Sequence, residues 1–211
     1  LYSYKNWEDY ILRAIDFFCG GGGMTNGLIQ AGIEVIAGVD LDPEAKETYE
    51  YNNRGATFVN ADITKLPLEY FENEFGVHRN DDEMIFVGCS PCQFYSIIRS
   101  LKEKSRKTKD LLLYFERFIE YYRPGYILVE NVPGIMSNKE TILNDFLTKI
   151  DNLGYGNKEN GRCVYDVVNM KNYGIPQNRE RLFVVGFRED LDLVKEFSFP
   201  DPILLKKKMK D

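Results

Sequence analysis

The sequence predicts one α/β domain in which a mainly parallel, doubly wound sheet carries helices on both faces. Short apolar strands alternate with amphipathic helical segments along the chain, and residues that could carry chemistry fall at or just past strand ends. In such a sheet, ligands bind beyond the carboxyl ends of the strands. With 211 residues the chain can bury a full core, and no repeat, low-complexity segment or linker indicates a second domain.

The first half of the chain is predicted to contain three strands and two helices. An apolar strand over 11–18 ends in glycines and leads to a helix over 24–31, which returns as a strand over 33–40. Pro43 suits the first turn of the next helix, which reaches a turn near 53–55 before a short strand over 57–60. This order forms βαβ units.

The second half repeats the alternation. Strands are predicted over 84–88, 126–129, 163–169 and 182–187. Two helices are predicted between them from apolar residues on a single helical face, namely Leu111, Phe115, Phe118, Ile119 and Tyr122, and then Ile142, Leu143, Phe146, Leu147 and Ile150.

The net charge of −6 by itself argues against nucleic-acid binding, but the charge is unevenly distributed. The run 99–109 is densely basic, and we interpret it as a phosphate-facing loop, although a solvated loop is the alternative. The run 206–210 is expected to be a frayed tail. No signal-peptide pattern occurs, and no apolar run reaches the roughly 20 residues that span a bilayer, so we expect a cytosolic protein without a membrane partner.

The four cysteines, Cys19, Cys89, Cys92 and Cys163, are too few and too scattered to predict a disulfide framework. The spacing of Cys89 and Cys92 also fits a zinc half-site or a redox pair. A zinc site needs a second pair of ligands, and His78 is the only histidine. We therefore predict no metal site.

The glycine-rich segment 16–23 is a candidate nucleotide loop. Glycines between a strand and a helix allow close backbone approach to a ligand, at which the helix amides point. The segment lacks the dinucleotide fingerprint G-x-G-x-x-G. Asp40, at the next strand end, suits the hydroxyls of a ribose, and Asp62 suits an adenine amino group. These features favour an adenosyl cofactor over a nicotinamide dinucleotide.

Cys92 and Glu130 are the candidate catalytic residues. Pro91 restricts its neighbour, so the loop with Cys92 leaves its strand in a defined direction. A thiolate is the reactive form of cysteine, and Arg179 and Arg181 are candidates for lowering the pKa of Cys92. Glu130 ends an apolar strand, where burial raises the pKa of a carboxyl and favours a form that donates a hydrogen bond. Without the other segments, a helix-capping or salt-bridging glutamate would be the preferred interpretation of Glu130.

Four segments now stand in order: Asp16-Phe-Phe-Cys-Gly-Gly-Gly-Gly23, Ser90-Pro-Cys-Gln93, Glu130-Asn-Val132 and Gln177-Asn-Arg-Glu-Arg181. The chain resembles the cytosine-C5 DNA methyltransferases, which carry Asp-x-Phe-x-Gly-x-Gly-Gly, Pro-Cys-Gln, Glu-Asn-Val and Gln-x-Arg-x-Arg segments. The resemblance covers roughly residues 12 to 200. It implies a Rossmann-like methyltransferase fold, S-adenosylmethionine as the cofactor and double-stranded DNA as the partner.

The resemblance also implies roles for individual residues. Phe18 would stack near the adenine, Arg181 would contact the cytosine O2, and Arg179 would brace the site. The residues expected to bind the cofactor are Asp16, Phe18, Gly20, Gly22, Gly23, Met24, Asp40, Leu41, Asp62, Ile63 and Pro91. The residues expected at the substrate are Gln93, Ser96, Asn131 and Gln177, with Asn131 also fixing backbone geometry.

The implied reaction begins on a cytosine that has been flipped out of the duplex, with the loop 94–109 closing over it. The Cys92 thiolate attacks C6 while Glu130 supplies a proton at N3, which makes C5 nucleophilic enough to accept a methyl group. Loss of the C5 proton and of the thiolate gives 5-methylcytosine.

The chain departs from the family at a few positions. Tyr95 replaces the usual phenylalanine, and Cys89 and Ser90 stand where glycine or proline is commoner. Family members continue beyond the last predicted strand into a target-recognition lobe and a closing segment. Because this chain stops at Asp211, we expect both to be absent from it. A separate polypeptide is one expected source of the lobe. The expected setting is bacterial restriction and modification. A tRNA methyltransferase and an inactive, fold-retaining binding protein are the alternatives.

Overall fold

The computed structural model describes residues 11–91, 111–136, 142–156, 163–191 and 197–203. The strands are β1 (Arg13–Phe17), β2 (Glu34–Asp40), β3 (Thr57–Asn60), β4 (Met84–Gly88), β5 (Tyr126–Asn131), β6 (Val164–Asn169) and β7 (Glu180–Phe187). The α-helices are α1 (Gly23–Gln30), α2 (Ala45–Asn52), α3 (Tyr70–Phe75), α4 (Leu111–Tyr122) and α5 (Ile142–Asn152). Two short 3-10 helices span Pro133–Met136 and Met170–Tyr173.

Within the described residues the strands form one sheet in the order β3-β2-β1-β4-β5-β7-β6. The strands β1 to β5 pair in parallel, whereas β7 is antiparallel to both β5 and β6. The chain steps outward from β1 through β2 to β3 and then crosses back to β4 on the other side of β1. This reversal makes the gap between β1 and β4 the topological switch point of the sheet. The predicted doubly wound, mainly parallel fold is confirmed.

Alternating side chains of the strands feed two separate cores, one on each face of the sheet. On one face Leu28 of α1 and Tyr49 of α2 pack with Val35 and Phe58. On the other face, α3, α4 and α5 cover the sheet with aromatic side chains. The ring of Phe17 lies at the centre of that core, 5.1 to 5.5 Å from the rings of Phe71, Phe86, Phe115 and Phe118. Edge and tilted ring contacts of this kind stabilise aromatic cores beyond the area that they bury.

The structure shifts several predicted boundaries for identifiable reasons. The first strand ends at Phe17, because Phe18 has a φ of 64° and turns the chain. The strand predicted over 126–129 continues to Asn131, because β7 pairs with its last residues. The short helix α3 was not predicted. Its single buried residue, Phe71, gave too weak a period to identify six helical residues from the sequence.

Candidate active site at the switch point

Two loops leave the sheet side by side at the switch point. Phe17 of β1 lies opposite Gly88 of β4, and the backbone N–H of Cys89 donates to the Phe17 carbonyl at 3.2 Å. The glycine turn after β1, residues 18–23, therefore starts beside the segment 89–91 that leads to Cys92. The sequence predicted that these segments meet, and the strand pairing brings them together.

The glycine turn is held in a specific shape. Phe18 adopts a left-handed backbone conformation, which is uncommon for a bulky residue and marks functional sites in many proteins. Gly22 has a φ of 84° and caps α1, and a Cβ there would clash with the side chains of Tyr49 and Asn53. At this position only glycine fits both the backbone and the space. The turn consequently presents main-chain amides, with no side chain at Gly22.

Asp40 lies at the end of β2 and connects that strand to the glycine turn. Its Oδ2 accepts a hydrogen bond from the Gly20 amide at 2.8 Å, and its Oδ1 accepts one from the Asp42 amide at 2.9 Å. Leu41 beside it is 66% exposed, which is high for a large apolar side chain. An exposed leucine next to an oriented carboxylate is a suitable platform for an amphipathic ligand such as a nucleoside.

Asp62 follows β3 and is oriented by its own loop. Its Oδ1 accepts hydrogen bonds from the backbone and the hydroxyl of Thr64, at 3.0 and 2.7 Å. These bonds, led by the hydroxyl of Thr64 and helped by Lys65, lower the pKa of Asp62. Asp62 is therefore a fixed anion that can still accept a bond through its other oxygen. Its neighbour Ile63 is buried at 5% exposure and anchors the loop.

Asp16 occupies a different environment from the other strand-end carboxylates. It is fully buried beneath the glycine turn, where its Oδ2 accepts a hydrogen bond from Thr25 Oγ1 at 2.7 Å. Its Oδ1 has no hydrogen-bond partner within the described residues. Burial raises the pKa of Asp16 to about 7, against the opposing effect of the Thr25 bond. Asp16 therefore faces the underside of the turn, whereas Asp40 and Asp62 retain partial solvent exposure.

Glu130 and Arg181 form an ion pair where β5 meets β7. Glu130 lies opposite Phe183, and Arg181 shares the face of Phe183 two residues earlier, so its side chain reaches diagonally across. The Arg181 Nε to Glu130 Oε1 distance is 2.8 Å, and both side chains are about one-fifth exposed. Burial raises the pKa of Glu130, although Arg181 and Arg179 oppose the rise. The sequence expectation of a carboxyl that is more easily protonated agrees with this direction.

Asn131 connects the end of β5 to the start of the thiol loop. It is 2% exposed, and its Nδ2 lies 3.4 Å from Ser90 Oγ while its Oδ1 accepts from the Val132 amide at 2.8 Å. Both polar ends of the amide are thereby used inside the protein. Ser90 was not among the predicted site residues, since a serine before Pro-Cys gives no signal of a partner 41 residues away.

Cys89 is a protonated thiol in this environment. Burial raises its pKa well above the ordinary value, and the carboxylates of Asp16 and Glu130 add to the rise. The interpretation of Cys89 as a packed small residue, not a second nucleophile, agrees with this. Buried Cys19 and Cys163 likewise have raised pKa values, chiefly because of burial.

Some of the predicted site residues lie outside the described part of the chain, and others are exposed on its connections. Cys92, Gln93, Ser96 and the basic run 99–109 lie outside the described residues. Gln177 and Arg179 are described and exposed on the connection that precedes β7, with the Arg179 carbonyl accepting from the Met170 amide at 2.9 Å. Pro91 is exposed immediately before Cys92.

The described residues provide neither a metal-binding cluster nor a membrane-spanning helix. They contain no group of three or more histidine, cysteine, aspartate or glutamate residues that could hold a metal ion. They also contain no helix that is long and apolar enough to cross a membrane.

A mainly parallel sheet with a glycine turn at its switch point and carboxylates at successive strand ends defines the class of Rossmann-like folds that bind nucleotide ligands at this edge. Residues 12–211 match the family described as C-5 cytosine-specific DNA methylase, and the chain belongs to that family. The predicted resemblance is confirmed.

Curated relatives agree with this family. The chain is 37% identical over 177 residues to the type II methylase M.HgiDII of Herpetosiphon aurantiacus, covering 83% of this chain and 47% of the relative. It is 31% identical over 193 residues to the type II methyltransferase M.FnuDI of Fusobacterium nucleatum, covering 91% and 51% respectively. The chain thus spans about half the length of these relatives.

Solved structures show the same fold. A DNA modification methyltransferase encoded within an E. coli prophage matches with a TM-score of 0.72 at 28% identity, covering 88% of this chain and 49% of that chain. The S. pombe Dnmt2 methyltransferase matches with a TM-score of 0.63 at 23% identity, covering 88% and 51%, which supports the fold alone.

Proposed function

We propose that this protein methylates C5 of cytosine in double-stranded DNA, with S-adenosylmethionine as the methyl donor and Cys92 as the nucleophile. The observation that carries the proposal is the Glu130 and Arg181 pair, next to Asn131, which contacts Ser90 two residues before Cys92. The carboxyl, the guanidinium and the root of the thiol loop are thereby held at one edge of the sheet. This is the set of groups that the addition of a thiolate to a pyrimidine ring requires.

Glu130, Cys92 and Arg181 have separate roles in the proposed reaction. Glu130, whose pKa is raised by burial, binds the N3 edge of a flipped cytosine and supplies a proton there while the Cys92 sulfur bonds to C6. Arg181 pairs with Glu130 and can donate further N–H groups toward the cytosine O2. The C5 carbon gains electron density and takes the methyl group, then loses its proton to water. N3 returns its proton to Glu130 as the C6–sulfur bond breaks and releases the Cys92 thiolate.

The described residues at the switch point fit S-adenosylmethionine. The glycine turn offers main-chain amides where a Cβ at Gly22 would not fit, and Asp40 and Asp62 offer fixed carboxylates for a ribose and an adenine amino group. Oδ1 of Asp16, which has no hydrogen-bond partner in the described part of the chain, lies buried beneath the turn. When bound, S-adenosylmethionine supplies an electrophilic methyl group, and the chain contributes its orientation and the exclusion of water.

The names of the relatives extend the proposal to biological setting. Both curated relatives are named type II enzymes, which favours a bacterial modification enzyme that acts on chromosomal DNA in the cytoplasm and is paired with restriction. Recognition of a particular DNA sequence is proposed to come from a target-recognition lobe, on the same or on a separate polypeptide.

The experiment is transfer of a labelled methyl group from S-adenosylmethionine to unmethylated genomic DNA, with tRNA as a second substrate. We expect labelling of DNA by the wild-type protein, no labelling by Cys92→Ser, and unchanged labelling by the control Cys163→Ala, which removes a buried thiol at the far end of β6. The assay is run with and without an added recognition-lobe polypeptide. Labelling of tRNA alone, or labelling that survives Cys92→Ser, would contradict the proposal.

A further inference from the structure

Three polar side chains are completely buried under the glycine turn, although a core at this place could be built from apolar residues. They are Asp16 of β1, Thr25 of α1 and Tyr49 of α2, each with 0% exposure. Buried polar groups are costly unless they are hydrogen-bonded, so their placement here needs a reason. Sequence reasoning missed Thr25 and Tyr49, because both look like ordinary helix residues.

The three side chains form a connected chain of hydrogen bonds. Thr25 Oγ1 donates to Asp16 Oδ2 at 2.7 Å and lies 3.2 Å from the hydroxyl oxygen of Tyr49. A threonine hydroxyl has a single proton, so the proton of the second bond must come from Tyr49. Thr25 is therefore the central member that orients both neighbours.

The ring of Tyr49 packs against the backbone of the site at two glycines. Its ring packs so closely that a Cβ at Gly22 would lie 2.8 Å from Tyr49 Cδ2, and a Cβ at Gly38 would collide with the hydroxyl. Gly22 belongs to the glycine turn, and Gly38 lies in β2 two residues before Asp40. The position of one ring thus sets the height of the turn above the sheet and supports the strand that carries Asp40.

We infer that Thr25 is a positioning residue for the cofactor, which fixes the Asp16 carboxyl and the Tyr49 ring so that the glycine turn is ready to bind S-adenosylmethionine. The inference deepens the proposed function and rests on it. Thr25 is fully buried, so it acts through its neighbours. Removing its hydroxyl takes away the side-chain donor of a buried carboxyl and leaves it with the backbone N–H of Thr25, which loosens the turn and not the residues that handle the cytosine.

The test compares one substitution that removes the hydroxyl with one that keeps it. Thr25→Val keeps the shape, and Thr25→Ser keeps the hydroxyl. We expect Thr25→Val to raise both the dissociation constant for S-adenosylmethionine, measured by calorimetry, and its KM by about tenfold, with kcat within about twofold of wild type. Thr25→Ser is expected to stay within about twofold in every quantity. Thr48→Val, which removes an exposed hydroxyl beside the turn, is the matched control.

A second readout works without cofactor. Hydrogen exchange of the amides of residues 19–23 should be faster in Thr25→Val than in wild type, Thr25→Ser or Thr48→Val. Tyr49→Phe should change binding and exchange in the same direction by a smaller factor, which keeps the test decisive should Thr25→Val fold poorly.

The outcomes separate the inference from the proposed function. If the wild-type protein binds no S-adenosylmethionine, both are overturned. If the wild type binds it and Thr25→Val binds and exchanges like Thr48→Val, only the inference is overturned. A fall in kcat with an unchanged dissociation constant would also overturn it, because Thr25 would then act on the chemical step.

Discussion

The amino and carboxyl edges of the sheet use the same kinds of residues in opposite ways. At the amino edge Arg188 is 4% exposed and fully engaged. Its guanidinium contacts Asp82, donates to Asp190 Oδ1 at 2.6 Å and donates to the Arg123 carbonyl at 2.8 Å. Burial alone would lower the pKa of Arg188, but its partners Asp190 and Asp82 outweigh burial and raise it. The charge is stabilised where it lies.

At the carboxyl edge, buried polar groups retain hydrogen-bonding capacity that the described residues do not use. One oxygen of Asp16 has no partner in the described part of the chain, and the pKa values of Asp16, Glu130 and Cys89 are all raised, chiefly by burial. In each of these three groups burial makes the charged form more costly. The contrast indicates that the amino edge closes the fold, whereas the carboxyl edge reserves binding capacity for ligands.

The largest expected effect belongs to the carboxyl edge. Glu130→Gln keeps the size and a hydrogen bond to Arg181 but removes the transferable proton, so we expect kcat/KM for DNA methylation to fall by about 100-fold to 10,000-fold. Stability should change by no more than about 1 kcal/mol, because the ion pair is partly exposed. Urea unfolding and methyl transfer, measured beside the exposed control Glu120→Gln, check this. A large loss of stability would show instead that Glu130 mainly stabilises the fold.

The next effect belongs to the amino edge, where we expect a loss of stability and not of activity. Arg188→Met removes a buried cation that joins three segments, and we expect the free energy of unfolding to fall by about 3 kcal/mol. Activity per folded molecule should be retained. Arg13→Met, which removes a more exposed arginine that pairs with Asp81, should cost about 1 kcal/mol or less. Equal losses in the two variants would remove the distinction between a buried and a partly exposed arginine.

The effect that is smallest at neutral pH is a pH dependence that arises from Asp16. Its pKa rises from 3.8 in the reference state to about 7 in the folded protein, so the native state binds the proton more tightly than the unfolded state. The stability contributed by this protonation is complete below pH 3.8 and is lost as pH rises through 7. Asp16→Asn should remove about 3 kcal/mol of this decline between pH 4 and 7.

Urea unfolding at several pH values measures this difference. The exposed control Asp42→Asn should keep the wild-type dependence on pH. If the curves for Asp16→Asn and wild type are parallel, Asp16 does not bind a proton more tightly in the folded state.

Much of the fold was predictable because hydrophobic periodicity reports burial directly. Strands β1 to β5 were located within two residues at each end, since each is an apolar run bounded by polar or glycine residues. The direction of β7 was not predictable, because side chains alternate in the same way in parallel and antiparallel strands. The pairing of Glu130 with Arg181 depends on that direction.

The candidate site was predictable as a set of residues but not as a set of contacts. The matched segments identified Asp16 and Glu130, and a strand-end position identified Asp40, whereas nothing in the sequence indicates that Thr25 and Tyr49 bury their hydroxyls together under the turn. That contact joins residues 24 positions apart and arises only when α1 and α2 pack on the same face. Candidate site residues can be identified from short sequence segments, whereas the groups that position them come from distant parts of the sequence.

The antiparallel direction of β7 has a consequence for how this fold can change. Because β7 enters the sheet at the edge where β5 leaves it, Arg181 arrives beside Glu130 at the beginning of its strand. A parallel β7 would have placed the arginine at the opposite edge, on the order of 15 to 20 Å away. The connection between residues 174 and 179 therefore borders the candidate active site while lying outside the strand register. Residues inserted there would alter what meets the substrate at little cost to the sheet, so this stretch is where new specificity can be added to an unchanged framework.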